Sequence, residues 1–252
     1  MAGIGQEDAS NLHTTARSGK ILKISNASDL DDGEYLLFGH DNGTVSSWTT
    51  TEVPDNDTNI NRIEREWRLS ETGNVGRVTI AIDTANLPSK PAGFTSYVLW
   101  IDSDSSFTSG ATQVPLNLNN GEYIAQNVDI ADENVLSIGV VKPVISFADT
   151  VSSSLENISA ASIPVSLNYA TSFDVSIKYR ATGGTATGSG TDYALYDSLI
   201  TISAGNTSSN IPITITDDAT IETDETIRLT LSEPSSKAIL GSDSVHTYTI
   251  HD

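Results

Sequence analysis

The chain has 252 residues, 33 of them acidic and 13 basic, for a formal charge of -20 at pH 7. That balance argues against nucleic acid or an anionic membrane as partner, since both would repel it. The absence of cysteine excludes a disulfide framework and thiolate metal or redox chemistry, and no apolar run approaches the ~20 residues that span a bilayer, so no membrane insertion is expected. The start Met1-Ala2-Gly3-Ile4-Gly5-Gln6-Glu7 lacks a basic region followed by an apolar one, and the chain reads as a piece of a longer protein.

Short runs with period-two alternation recur between turn signals such as Asp32-Gly33, Asn42-Gly43 and Asn120-Gly121, which predicts an all-β fold. In chain order, the first half is expected to form strands at 20–25, 35–39, 63–70, 77–82, 96–101, 122–125 and 135–141. Val141-Lys142-Pro143 marks the expected boundary, because a proline after a strand-like run suits a short connection between domains. The second half is expected to form strands at 144–147, 161–169, 175–180, 198–203, 211–216, 226–231 and 245–251, and seven short strands in ~110 residues predict a sandwich. The reading is therefore two tandem β-sandwich domains, 1–141 and 144–252.

In the first half, Ala2-Gly3-Ile4-Gly5-Gln6-Glu7-Asp8-Ala9-Ser10 is followed by Tyr35-Leu36-Leu37-Phe38-Gly39-His40-Asp41-Asn42-Gly43, Arg65-Glu66-Trp67-Arg68-Leu69 and Asp102-Ser103-Asp104-Ser105-Ser106-Phe107. This set resembles a domain of uncharacterised function in large bacterial surface proteins. The resemblance implies no activity and points to a cell-surface setting. Within it, Asp102 and Asp104 follow the strand-like Tyr97-Val98-Leu99-Trp100-Ile101. Alternating aspartates in a loop can chelate a cation from one face, but the glycine and terminal glutamate of an EF-hand loop are missing. The segment fits either a second calcium site or a solvated turn.

The run Asp217-Asp218-Ala219-Thr220-Ile221-Glu222-Thr223-Asp224-Glu225 places five carboxylates in nine residues, between the alternating runs 211–216 and 226–231. Asp217 shares the inward parity of Ile211, Ile213 and Ile215, and Glu225 that of Ile227, Leu229 and Leu231. Both are expected to point core-ward at one end of a sheet. Collected carboxylates raise one another's pKa and lose solvation, and a hard divalent cation with oxygen ligands relieves both effects. The alternative is a set of acids that only solvate a turn.

Around that run, Val144-Ile145-Ser146-Phe147, Glu156, Gly184-Thr185-Ala186 leading to Asp192-Tyr193, and the closing Thr249-Ile250-His251-Asp252 follow the order of a Calx-beta domain, which the segment 144–252 resembles. The resemblance implies an immunoglobulin-like sandwich that binds Ca2+. It also implies ligands at Glu156, Asp192, Asp217, Asp218, Glu222, Glu225 and Asp252, with the Thr220 carbonyl as a backbone ligand, gathered at one end. The segment 187–191 departs from the family by being one residue longer than the common spacing.

No catalytic arrangement stands against this reading. His13, His40, His246 and His251 have no second ligand at zinc spacing, and there is neither a Gly-x-Ser-x-Gly elbow nor a phosphate-binding glycine loop. Glu64 and Glu66 alternate with Ile63 and Trp67 and read as a charged solvent face rather than a glycosidase pair. The expected function is a non-enzymatic, calcium-stiffened structural or adhesive module of a bacterial cell-surface or secreted protein. Its partners would be neighbouring domains of the longer chain and a surface glycan or protein ligand. The alternative is a carbohydrate-binding module, for which Trp48 is the only candidate for an exposed stacking aromatic, core packing being the favoured reading for the tryptophans.

Overall fold

Period-two alternation becomes alternating burial along the strands. In Ser208–Ile215 the side chains of Ile211, Ile213 and Ile215 are buried while Pro212 and Thr214 face solvent. Glu225–Ser232 buries Ile227, Leu229 and Leu231 in the same way. An apolar sheet face of this kind must be covered by another layer, which makes paired sheets the natural solution. The structure, a computed structural model, describes residues 1–218 and 221–252 and is all-β apart from two short 3-10 turns, Pro54–Asn56 and Thr84–Asn86. It forms two units, Met1–Val141 and Lys142–Asp252.

The first unit has a seven-stranded sheet in the order Asn11–His13, Ala2–Asp8, Glu34–His40, Ile60–Thr72, Val135–Val141, Ser96–Asp102, Thr112–Pro115. Its second sheet has the order Asn117–Asn119, Glu122–Val128, Val78–Ile82, Leu22–Ser25, Thr15–Ser18. Leu22, Ile24, Phe38, Trp67, Ile80, Leu99 and Leu136 belong to its hydrophobic core. All seven residues of Ser96–Asp102 are buried, so this strand is covered on both faces. Tyr97, Leu99 and Ile101 join the core cluster, whereas Trp100 and Asp102 lie on the opposite face by strand alternation.

The second unit pairs two five-stranded sheets. One runs Tyr193–Ala194, Ser208–Ile215, Ala160–Leu167, Val144–Phe147, Ile239–Leu240; the other runs Val151–Leu155, Val245–His251, Glu225–Ser232, Val175–Gly184, Ser198–Ile202. Phe147, Ile163, Val165, Ile177, Ile202, Ile211, Leu229 and Tyr248 belong to its core. At Gly184 the backbone φ of 120° and a carbonyl oxygen, that of Thr226, 2.0 Å from where a Cβ would stand leave room only for glycine.

The strands the alternation did not predict are mostly short or polar, such as Asn11–His13, Thr15–Ser18 and Val151–Leu155, and the longest is the glycine-bearing Ala2–Asp8. In the last, glycine serves packing: a Cβ on Gly3 would stand 2.5 Å from Leu37 Cδ2. Glu66 also departs from the expected solvent face. It is half-buried and pairs at 3.1 Å with Arg62, whose side chain is 4% exposed and also meets Glu52 at 2.8 Å. Burial pushes the Glu66 carboxyl up, against the lowering effect of Arg62. Removing one partner of such a pair leaves an uncompensated charge, so Arg62→Met is expected to cost about 3–5 kcal/mol. Urea unfolding followed by tryptophan fluorescence checks this, because all three tryptophans lie in the first unit; a loss below about 1 kcal/mol would contradict it.

Candidate metal centre

Five strand ends converge on the acidic end of the second unit, and their register is fixed by the sheets. Glu225 opens Glu225–Ser232 and pairs with Ile250, which places it beside the end of Val245–His251 and so beside Asp252. Leu155 pairs with His251, and the next residue, Glu156, donates its N–H to the His251 carbonyl at 2.8 Å. Tyr193 pairs with Ile215 in the other sheet, and the Thr216 N–H reaches the Asp192 carbonyl at 2.9 Å. The Asp192 carboxylate accepts from the Thr187 N–H, which orients it within its own loop.

Carboxylate oxygens of Asp192, Glu222 and Glu225 lie within 4.8 Å of one another, and no other such group of three occurs among the described residues. They line a cavity of about 10 Å³ together with Glu156, Thr216, Asp218, Thr223, Ile250 and Asp252. That space suits one water-sized occupant and is too small for an organic ligand. Asp252 also accepts the Glu222 N–H at 3.1 Å, tying the acidic loop to the chain's last strand.

The electrostatics follow from this crowding. The Glu225 carboxyl is pushed up to about 7, first by burial, then by a hydrogen bond with Asp192 and by the charges of Asp192 and Glu222. Glu156 is raised by burial and by the charges of Asp252, Asp217, Asp218 and Glu222. A site that holds a proton near neutrality because its carboxylates are desolvated and crowded is one that a cation would fill in the proton's place.

The structure therefore gathers Glu156, Asp192, Asp218, Glu222, Glu225 and Asp252 around one cavity. Asp217 does not line it: the strand stops at Ile215, so inward parity does not extend to Asp217, which is exposed. Its charge still reaches Glu156. Thr220 lies outside the described residues. Asp224 turns to His251 at 3.0 Å instead of joining the group. Sequence reading missed Thr216 and Thr223, hydroxyl residues with no distinguishing signal in a chain rich in threonine. Asp102 and Asp104 sit together in the first unit, where the Asp104 N–H donates to the Asp102 Oδ1 at 2.9 Å. Trp48 is half-buried, donates its indole N–H to the Ser89 carbonyl at 2.9 Å and packs against Tyr97, so it offers no open stacking face of the kind a carbohydrate-binding module needs.

Glu225 takes up a proton on folding, because its folded pKa of about 7 exceeds the ordinary 4.5. Its contribution is complete below the lower value and is lost as pH rises through the upper one. In chelator, the melting temperature of the second unit is expected to fall between about pH 4.5 and 7. Glu225→Gln should flatten that part of the profile; identical profiles by calorimetry would contradict the assignment.

No curated protein matches the chain. The apo-form Calx CBD1 domain is 25% identical over 44% of this chain and 97% of its own, with a TM-score of 0.41. The calcium binding domain CBD12 of CALX1.1 is 26% identical over 43% of this chain and 45% of its own, with a TM-score of 0.40. The Calx CBD2 domain is 16% identical over 42% of this chain and 85% of its own, with a TM-score of 0.39. Residues 141–252 match the Calx-beta domain, and residues 1–134 match the family described as Domain of unknown function (DUF8202). The chain thus belongs to the DUF8202 family through its first unit and carries a Calx-beta domain in its second.

Proposed function

We propose that the chain is a non-enzymatic structural module of a larger bacterial surface or secreted protein, whose Calx-beta unit is stiffened by Ca2+. The observation that carries this reading is the cluster of Asp192 with Glu222 and Glu225 of the acidic run, distant in sequence from Asp192 yet with carboxylate oxygens within 4.8 Å of one another. The donor set fits calcium: every charged ligand is an oxygen, no sulfur or ring nitrogen lines the cavity, and its size suits a single ion. Asp192, Glu222 and Glu225 would hold the ion, with Glu156, Asp218 and Asp252 beside them. Calcium supplies positive charge that several carboxylates can share.

The consequence of the arrangement is mechanical. Asp192 directly precedes one sheet's edge strand, Glu225 opens a strand of the other sheet, Asp252 directly follows another strand of that sheet, and Glu222 lies in the loop between the sheets. Drawing these carboxylates together ties the two sheets at one end and limits the motion of the loop. The high negative charge is compatible with an extracellular setting. Among the described residues, no helix is long and apolar enough to cross a membrane.

Calorimetric melting in excess EDTA and in calcium tests the proposal. At a hundredfold excess over Kd the ion is expected to add about 2.7 kcal/mol, a rise on the order of 10 °C for a unit of this size. The rise should vanish in Asp192→Asn with Glu225→Gln. A second-unit transition that calcium leaves in place would overturn the reading.

A further inference from the structure

The first unit contains a carboxylate whose environment is incomplete. Asp102 ends the strand Ser96–Asp102 and is only 4% exposed. Its Oδ1 accepts the Asp104 N–H at 2.9 Å, but its Oδ2 is buried with no hydrogen-bond partner. Buried polar atoms almost always find a partner, and a carboxylate oxygen lacking one loses its solvation with nothing in exchange. Among the described residues no lysine, arginine or histidine forms an ion pair with Asp102.

The orphan oxygen faces into the loop that follows its strand. A Cβ at Gly110 would stand 4.0 Å from Oδ2, which sets this oxygen against the far end of that loop. The same loop presents oxygen at every second side chain: Asp102, Asp104, Ser106 and Thr108. The Ser106 N–H donates to Asp104 Oδ1 at 2.7 Å, and the Ser106 and Thr108 hydroxyls meet at 2.8 Å. The loop is anchored rather than free. Phe107 is fully buried with the Arg62 guanidinium 5.1 Å from its ring centroid, and the Asp55 N–H donates to the Thr108 carbonyl at 3.0 Å. Arg68 touches the loop from outside through a 3.1 Å hydrogen bond to Ser105.

The geometry points to a cation site in the DUF8202 unit, formed by the loop from Asp102 to Gly110 and selective for a hard divalent ion of the calcium class. Asp102 Oδ2 is the inner ligand, Asp104 supplies the second negative charge, and hydroxyl or carbonyl oxygens of Ser106 and Thr108 complete the set. Two carboxylates bind more weakly than three, so the affinity belongs to the range of about 10⁻⁴–10⁻³ M found for extracellular calcium modules. This site rests on the first unit alone and does not depend on the Calx-beta reading.

Terbium, a calcium mimic whose emission is sensitised by nearby tryptophan, distinguishes the two sites in the full chain. All three tryptophans belong to the first unit, and Trp100 is two residues from Asp102 on the same strand. Excitation in the tryptophan band should give terbium emission that millimolar calcium displaces. Asp102→Asn should reduce it at least tenfold, whereas Asp192→Asn with Glu225→Gln should leave it unchanged. Asp104→Asn, a change in the loop beyond the strand, should weaken terbium binding several-fold and guards against loss of fold in the Asp102 variant. No emission in the wild type, or emission lost in the second-unit variant and kept in Asp102→Asn, would overturn the proposal without bearing on the Calx-beta cluster.

Discussion

Mutual repulsion among carboxylates that the sheets hold together is the constraint on which the acidic end of the second unit depends. The register of Glu225 against Ile250, Leu155 against His251 and Tyr193 against Ile215 is set by burial of alternating apolar side chains. A slip of one residue would turn Ile227, Leu229 and Leu231 out of the core. The strand-held groups, Glu225 and the neighbours of Asp192, Glu156 and Asp252, therefore cannot separate without giving up core burial, and the loop residue Glu222 is tied to them through its N–H to Asp252. Two kinds of charge can relieve the repulsion. A proton does so at Glu225, whose pKa is pushed up to about 7 first by burial and then by Asp192 and Glu222, and a cation that neutralises several carboxylates at once would do so more completely.

The first unit meets the same physical problem at smaller scale. Its strand Ser96–Asp102 is covered on both faces, so the carboxylate at its end is buried along with the apolar residues before it. There the cost falls on a single unpartnered oxygen rather than on a cluster. Elsewhere in the unit a buried charge is matched internally: Arg62 has Glu52, Glu66 and two backbone carbonyls. The contrast between a satisfied Arg62 and an unsatisfied Asp102 marks the latter as a place where something from outside the chain belongs.

Much of this was legible in the sequence because sandwich strands carry period-two alternation. Ile211 to Ile215 and Ile227 to Leu231 read directly as half-buried strands, and the acids between them read as a loop. Strands that pack by other means left no such trace. Ala2–Asp8 depends on glycines that let Leu37 and Tyr35 approach, and Val151–Leu155 is an edge strand with three serines. The ligand set was legible only as a composition. Parity placed Asp217 inside, but parity holds only while the strand lasts, and this one ends two residues earlier. The half-burial of Glu66 and Trp48 goes with partners that period-two alternation does not announce, Arg62 four residues away on the same strand and the distant Ser89 carbonyl.

The central claim is that carboxylates on separate segments are closed around one ion, and amide hydrogen exchange with and without calcium tests it most directly. The account predicts that calcium slows exchange together at Thr187, Thr216 and Glu222, whose N–H groups are tied to the cluster through Asp192 and Asp252. Protection confined to the acidic loop, or absent from all three, would contradict it.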